Sequence, residues 1–235
     1  MKEIYLFTEG NMKMRDLLGG KGANLAEMTN LGIPVPKGFT ITTAACHAFQ
    51  ETNQLSESLL QELDDALNTL ANESGKKFND SHNPLLVSVR SGAPISMPGM
   101  MDTILNIGLN DETVETLAEI TNNPRFAYDS YRRLLAMFGN VVYGIDEQSF
   151  DDILTATKNA NHYQSDLELT TDDLKQIVAD FKRLYSQSSA GTFPQDPQAQ
   201  LLDAITAVFE SWNNHRAIVY RRENNIPADL GTAVN

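Results

Sequence analysis

The chain has 235 residues, 41% of them apolar and 21% charged, enough to bury a sizeable core and in keeping with a soluble globular protein. A net charge of −13 argues against a nucleic-acid partner, because phosphate backbones select basic surfaces. No apolar stretch approaches the ~20 residues of a membrane helix, no basic segment leads into an apolar run at the N-terminus, and the single cysteine, Cys46, excludes an internal disulfide and fits a reducing cytoplasm.

Residues 4 to 7 read as a short strand and residues 24 to 31 as a first helix, stopped by Gly32 and Pro34. Residues 38 to 43 alternate and are rich in β-formers, which predicts a second strand, and another helix begins near Thr43. Leucines at 55, 59, 60, 63, 67 and 70 have helical spacing, and residues 85 to 89 form an apolar strand ending on Arg90. Asp102 reads as a helix cap for the residues from Thr103 onward.

From about Asn110 only helical patterns remain. Asn123 with Pro124 predicts a helix start, its apolar stripe running through Tyr128, Tyr131, Leu134, Leu135 and Phe138 to a stop at Gly139. Thr171 is the expected cap of a helix carrying Leu174, Ile177, Val178, Phe181, Leu184 and Tyr185 on one face. Residues 186 to 197, rich in Ser, Gln, Gly and Pro, read as a linker into a last helix that reaches to about Asn224, and residues 231 to 234 return to strand character. The expected organisation is α+β: residues 1–109 with 200–235 form a discontinuous α/β subdomain, and residues 110–199 an all-helical insertion.

Two segments carry chemistry. Leu18-Gly19-Gly20-Lys21-Gly22 puts a lysine in a glycine turn at a helix start, and Val89-Arg90-Ser91-Gly92 leads into a loop around Pro98 and Gly99. Guanidinium, ammonium and free backbone N–H groups are what a polyphosphate requires, since its oxygens only accept and its charge is large. Neither nucleotide motif of common use fits. A Walker loop would need glycine at Arg15 and Ser or Thr at Gly22, and the dinucleotide pattern would need Gly or Ala at Leu25. His47, His82, His162 and His215 lie far apart without ligands at zinc spacing, and no nucleophile elbow is present. From pattern alone Lys21 is equally a solvated lysine beside a turn. Arg90 is equally a structural arginine pairing with Asp102 or Asp16, and Met97, Met100 and Met101 read first as core filler, with a mobile flap around Pro98 and Gly99 as the alternative.

Residues Gly19 to Met28, Val89 to Ala93, Ser96 to Asn106, Arg125 to Arg133 and Gly231 to Asn235 resemble the N-terminal nucleotide-binding domain of the pyruvate, phosphate dikinase family, over nearly the whole chain. The Met97-Pro98-Gly99-Met100-Met101-Asp102-Thr103 run is the specific part. Phosphoenolpyruvate synthases, which use water as acceptor, share an Arg-Ser form of the arginine segment but typically lack that run. Pro94 departs from the residue, often arginine, that many relatives carry there.

The resemblance implies the first part of an ATP-grasp-like nucleotide-binding domain with an inserted helical subdomain. It implies that Lys21 and Arg90 contact ATP phosphates, and that Gly99, Met100, Met101, Asp102 and Thr103 form a flexible loop over them. In the family, ATP with Mg2+ pyrophosphorylates a histidine, phosphate takes the terminal phosphoryl group, and pyruvate takes the other, giving phosphoenolpyruvate, AMP and pyrophosphate. The second ATP-grasp lobe with its acidic magnesium ligands, the phosphohistidine domain and the pyruvate barrel are expected outside this chain, so no catalytic or metal-binding residue is assigned within it. A fragment inactive on its own, belonging to a cytoplasmic homodimer without nucleic-acid or membrane partners, is the expectation. A stand-alone module without chemistry, or a synthase of the water-using type, are the alternatives.

Overall fold

A computed structural model describes residues 2–235. Five strands make one sheet: β1 (Ile4–Leu6), β2 (Phe39–Ile41), β3 (Val87–Gly92), β4 (Thr103–Ile107) and β5 (Ala233–Val234), in the order β1-β2-β5-β3-β4. The pairings β1·β2, β2·β5 and β3·β5 are antiparallel, with Ile4 opposite Ile41, Ile41 opposite Val234, and Ser91 opposite Val234. The helices are α1 (Arg15–Asn30), α2 (Thr43–Thr52), α3 (Glu57–Ser74), α4 (Thr113–Thr121), α5 (Pro124–Tyr143), α6 (Glu147–Ala160), α7 (Thr171–Gln187), α8 (Pro197–Ser211) and α9 (His215–Glu223).

The chain divides into two compact units. The first takes the residues up to Lys76, then Val89–Thr103 and Ile205–Asn235; the second takes Lys77–Ser88 and Ile104–Ala204. The second unit therefore holds residues 77–88 and 104–109 as well as helices.

In the first unit, Leu18, Ala23 and Ala26 of α1 and Ala45, Cys46 and Phe49 of α2 supply the buried positions, with Phe49 tilted against Phe209 at 5.6 Å. Small residues on α1 let its backbone lie close to its neighbours. A Cβ on Gly22 would stand 2.7 Å from the Thr40 hydroxyl. Glu62 of α3 accepts from the backbone N–H groups of Glu3 and Ile4, both at 2.8 Å, and so satisfies donors at the start of the edge strand β1.

The second unit is a helix bundle with an aromatic core. Tyr131, Phe138, Phe150, Phe181 and Tyr185 are fully buried, Phe150 meets Phe181 edge-on at 4.9 Å, and Tyr185 donates its hydroxyl to the Leu135 carbonyl at 2.6 Å. A buried glutamine, Gln200, accepts from Gly108 N–H and donates to the Leu109 and Pro194 carbonyls. Its amide thereby joins the entry and exit of the helical region.

Several sequence expectations need correction. Thr103 begins a strand, so Asp102 caps no helix; a five-residue run with β-branched Thr103, Ile104 and Ile107 suits either state locally, and the sheet decides. Gly139 does not stop α5; it is a buried interior position, and Gly144, at φ +66°, ends the helix four residues after Asn140, whose carbonyl accepts from its N–H. The cap of α7 is Thr170, which forms a reciprocal box with Asp173, and Thr171 is the first helical residue. The final helix breaks at residues 212–214, where Asn214 takes extended geometry and caps α9 by accepting from Ala217 N–H at 2.7 Å. The first helix begins at Arg15 rather than 24, and it is interrupted at Gly19.

Candidate functional site

A glycine in the left-handed region creates the first half of the site. Gly19 has φ +69° and ψ 171° inside α1, which interrupts the helical ladder, so a fresh helical run starts at Gly20. That end is fastened to the segment leaving β3. Gly20 N–H donates to the Ala93 carbonyl at 2.9 Å, Lys21 Nζ to the Ser91 carbonyl at 2.8 Å, and Arg15 Nε to the Pro94 carbonyl at 2.8 Å. Gly92 in turn backs onto Asn235, whose side-chain oxygen accepts from the Thr40 hydroxyl at 2.9 Å. Two backbones thus meet with no side chain between them, which explains the glycines in both segments.

The second half is the loop after β3. Met100 N–H donates to the Met97 carbonyl at 3.2 Å with Pro98 and Gly99 between, and Gly99 has φ +73°, the pattern a type II turn requires. Met97 is buried with Ala93, Trp212, Ala217 and Ile226, and Met100 and Met101 pack partly against that cluster. Core filling and loop building are therefore the same act for these methionines. Beneath them Arg221 lies 4.1 Å over the Trp212 ring and donates to the Trp212 carbonyl, while Trp212 Nε1 donates to the Ala228 carbonyl at 2.9 Å.

Between the two halves opens a cavity of about 520 Å3, lined among others by Arg15, Lys21, Asn24, Ser91, Gly99 and Thr103. The volume suits a drug-sized or nucleotide-sized ligand. Of the residues singled out in sequence, Lys21, Met97, Gly99, Met101 and Thr103 line it; Met100, Asp102 and Arg90 do not, and Arg90 is exposed. Desolvation first, and then the positive charge of Arg90, pull the Lys21 ammonium below the ordinary lysine value. Neither cation, nor Arg15, has a carboxylate within ion-pair distance among the described residues. The structural alternative for Arg90 fails on this point, because Asp102 pairs with Arg216 at 2.7 Å instead.

Arg15, Asn24, Ser91 and Ser96 enter the cavity without having been singled out. The available signal was periodicity: Asn24 falls one helical turn after Lys21, near enough to share its face. Arg15 gives no such signal, since the break at Gly19 resets the helical phase.

Lys21 and Arg15 line a cavity of this volume beside a glycine-rich turn, a setting that suits an anionic ligand. Comparison with known families agrees. Two overlapping segments, residues 15–72 and 55–235, match the model of the pyruvate phosphate dikinase, AMP/ATP-binding domain, and the chain belongs to that family. It is 53% identical over 236 residues to pyruvate, phosphate dikinase of Clostridium symbiosum, covering 100% of this chain and 27% of that protein. Identity is 51% over 240 residues to the chloroplastic enzyme of Mesembryanthemum crystallinum and 51% over 241 residues to that of Giardia intestinalis, covering 25% and 27% of those proteins. The chain spans about a quarter of the length of these curated relatives. No helix among the described residues is long and apolar enough to cross a membrane.

Proposed function

We propose that this chain is the N-terminal ATP-binding portion of a pyruvate, phosphate dikinase, built as the first part of an ATP-grasp-like domain in which residues 110–199 are a helical subdomain inserted between 1–109 and 200–235. Lys21 and Arg90 hold the ATP phosphates, and the loop of Gly99, Met100, Met101, Asp102 and Thr103 covers them. The observation that carries this reading is that Lys21, which lines the cavity, and Arg90 both lack carboxylate partners among the described residues and lie close enough for Arg90 to depress the Lys21 pKa. Like charges held together this way cost energy that a polyanion recovers.

In the whole enzyme the phosphoryl groups pass to a histidine, then to phosphate and to pyruvate, yielding phosphoenolpyruvate, AMP and pyrophosphate. The histidine and the pyruvate site lie outside these 235 residues, and the enzyme works as a cytoplasmic homodimer. What this chain contributes is positioning and charge stabilisation, the larger part of phosphoryl-transfer catalysis. Among the described residues no three His, Cys, Asp or Glu side chains gather closely enough to hold a metal, so no step is assigned to Mg2+ here.

Calorimetric titration of the chain with magnesium-ATP, with Arg90→Ala as control, tests the reading. Binding weakened by the substitution supports it. Binding of equal strength in a folded Arg90→Ala protein removes Arg90 from the site.

A further inference from the structure

A carboxylate within a loop that covers phosphates is an electrostatic problem, because an unpaired Asp102 turned inward would repel the ligand. The loop solves it by geometry. Met101 and Thr103 line the cavity and Asp102 between them does not. Its carboxylate is only 23% exposed and receives Arg216 at 2.7 Å, from 114 residues further along the chain. Arg216 lies in the first turn of α9, immediately after a second tether: Asn214 caps that helix with its oxygen and donates its amide N–H to the Met100 carbonyl at 3.1 Å. The Arg216 side chain is itself 58% exposed, so it fills no core position, and a pair this exposed adds little to global stability.

We propose that Arg216 is a positioning residue for the phosphate loop: it pins the Asp102 carboxylate on the side of the loop away from the cavity. The face presented to the nucleotide is thereby kept free of negative charge, and the end of the loop leading into β4 is fixed. This rests on the reading of the cavity as an ATP phosphate site. The pin itself exists without ligand and is read separately.

The test has two arms. In the ligand-free protein, amide hydrogen exchange over residues 97–103 is compared among wild type, Arg216→Ala and Arg216→Lys. Exchange rises about threefold or more in the alanine variant and returns towards wild type with lysine. Unchanged exchange in Arg216→Ala overturns the proposal whether or not ATP binds. In the second arm magnesium-ATP is titrated against the emission of Trp212, the sole tryptophan, which is buried with Met97. Arg216→Ala weakens affinity about two- to fivefold, and that penalty shrinks in an Asp102→Asn background, as expected if Arg216 acts by restraining the carboxylate. An equal penalty in both backgrounds would mean that Arg216 meets the ligand by itself and would overturn the proposal. So would loss of all measurable binding in Asp102→Asn, which would make the carboxylate a ligand contact. Failure of wild type to bind ATP, with the exchange effect intact, counts against the nucleotide reading and leaves the pin standing.

Discussion

Gly19 leaves no room for a side chain against Gly92: a Cβ built on it would stand 1.6 Å from the Gly92 carbonyl oxygen, on a backbone at φ +69°. Backbone strain and overlap with a carbonyl, which has no rotamer to move into, act together. Gly19→Ala is expected to lose about 3 kcal/mol or more of stability and to displace the Lys21 end of the helix from the loop. Urea unfolding checks the first part. A variant within about 1 kcal/mol of wild type would show that the two segments separate freely.

Arg90→Ala is expected to cost about 1.5 to 3 kcal/mol of ATP affinity, the usual worth of charge-assisted hydrogen bonds. Because the side chain is exposed, its loss leaves folding intact, and calorimetry on a protein with an unchanged melting profile isolates the binding effect. Arg90→Lys restores only part of the loss, since a point charge lacks the planar fork.

Lys21, if it holds phosphate as proposed, is expected to give ATP binding a distinctive alkaline limb. Phosphate favours the protonated ammonium, so affinity holds at lower pH and falls as pH rises through the Lys21 pKa of the free protein, which lies below the ordinary lysine value. Arg90→Ala removes a like charge, raises that pKa and moves the limb to higher pH. For folding the sign is reversed. A depressed lysine pKa penalises the folded state while the group is protonated in both states, and the penalty lifts as pH climbs from the folded pKa towards the unfolded one. Proton NMR titration of the Lys21 side chain with and without Arg90 measures the shift, and an identical pKa in the two proteins would refute the coupling.

Gly139→Ala puts a methyl group 2.6 Å from Phe150 Cζ and 2.9 Å from the Tyr185 hydroxyl oxygen. Alanine is the better helix former by about 1 kcal/mol, but overpacking in a close-packed aromatic core outweighs it. A net loss of about 1 to 2 kcal/mol is expected by thermal or urea unfolding, and a stabilised variant would mean that the second unit's core repacks easily.

Much of the local structure was legible from residue pattern. The stripe through Tyr128, Tyr131, Leu134, Leu135 and Phe138 is buried as its spacing implied, and so is that through Leu174, Ile177, Val178, Phe181 and Tyr185 apart from Leu184, which is half-buried, because an amphipathic helix has one apolar face to cover. Short signals failed where they admitted two outcomes. A glycine, here Gly139, ends a helix or packs inside one, and only its neighbours Phe150 and Tyr185 decide which. Residues 103–107 are too few for periodicity to separate strand from helix, and Asn106, at φ +64°, adds an irregularity that pattern does not anticipate.

For the site, the sequence by itself determined the chemical inventory: a lysine among glycines, an arginine at a strand end, a Pro-Gly turn among methionines. These are local properties of backbone freedom and side-chain charge, fixed once the residues are written. Tertiary structure alone decided the pairing. It set Gly19 against Gly92, left Lys21 and Arg90 without carboxylates, gave Asp102 to Arg216 rather than to Arg90, and brought Arg15 to the cavity. Those relations join residues up to 114 positions apart, and they depend on which surfaces meet once the apolar core of the first unit is buried, a condition that no local run of residues contains.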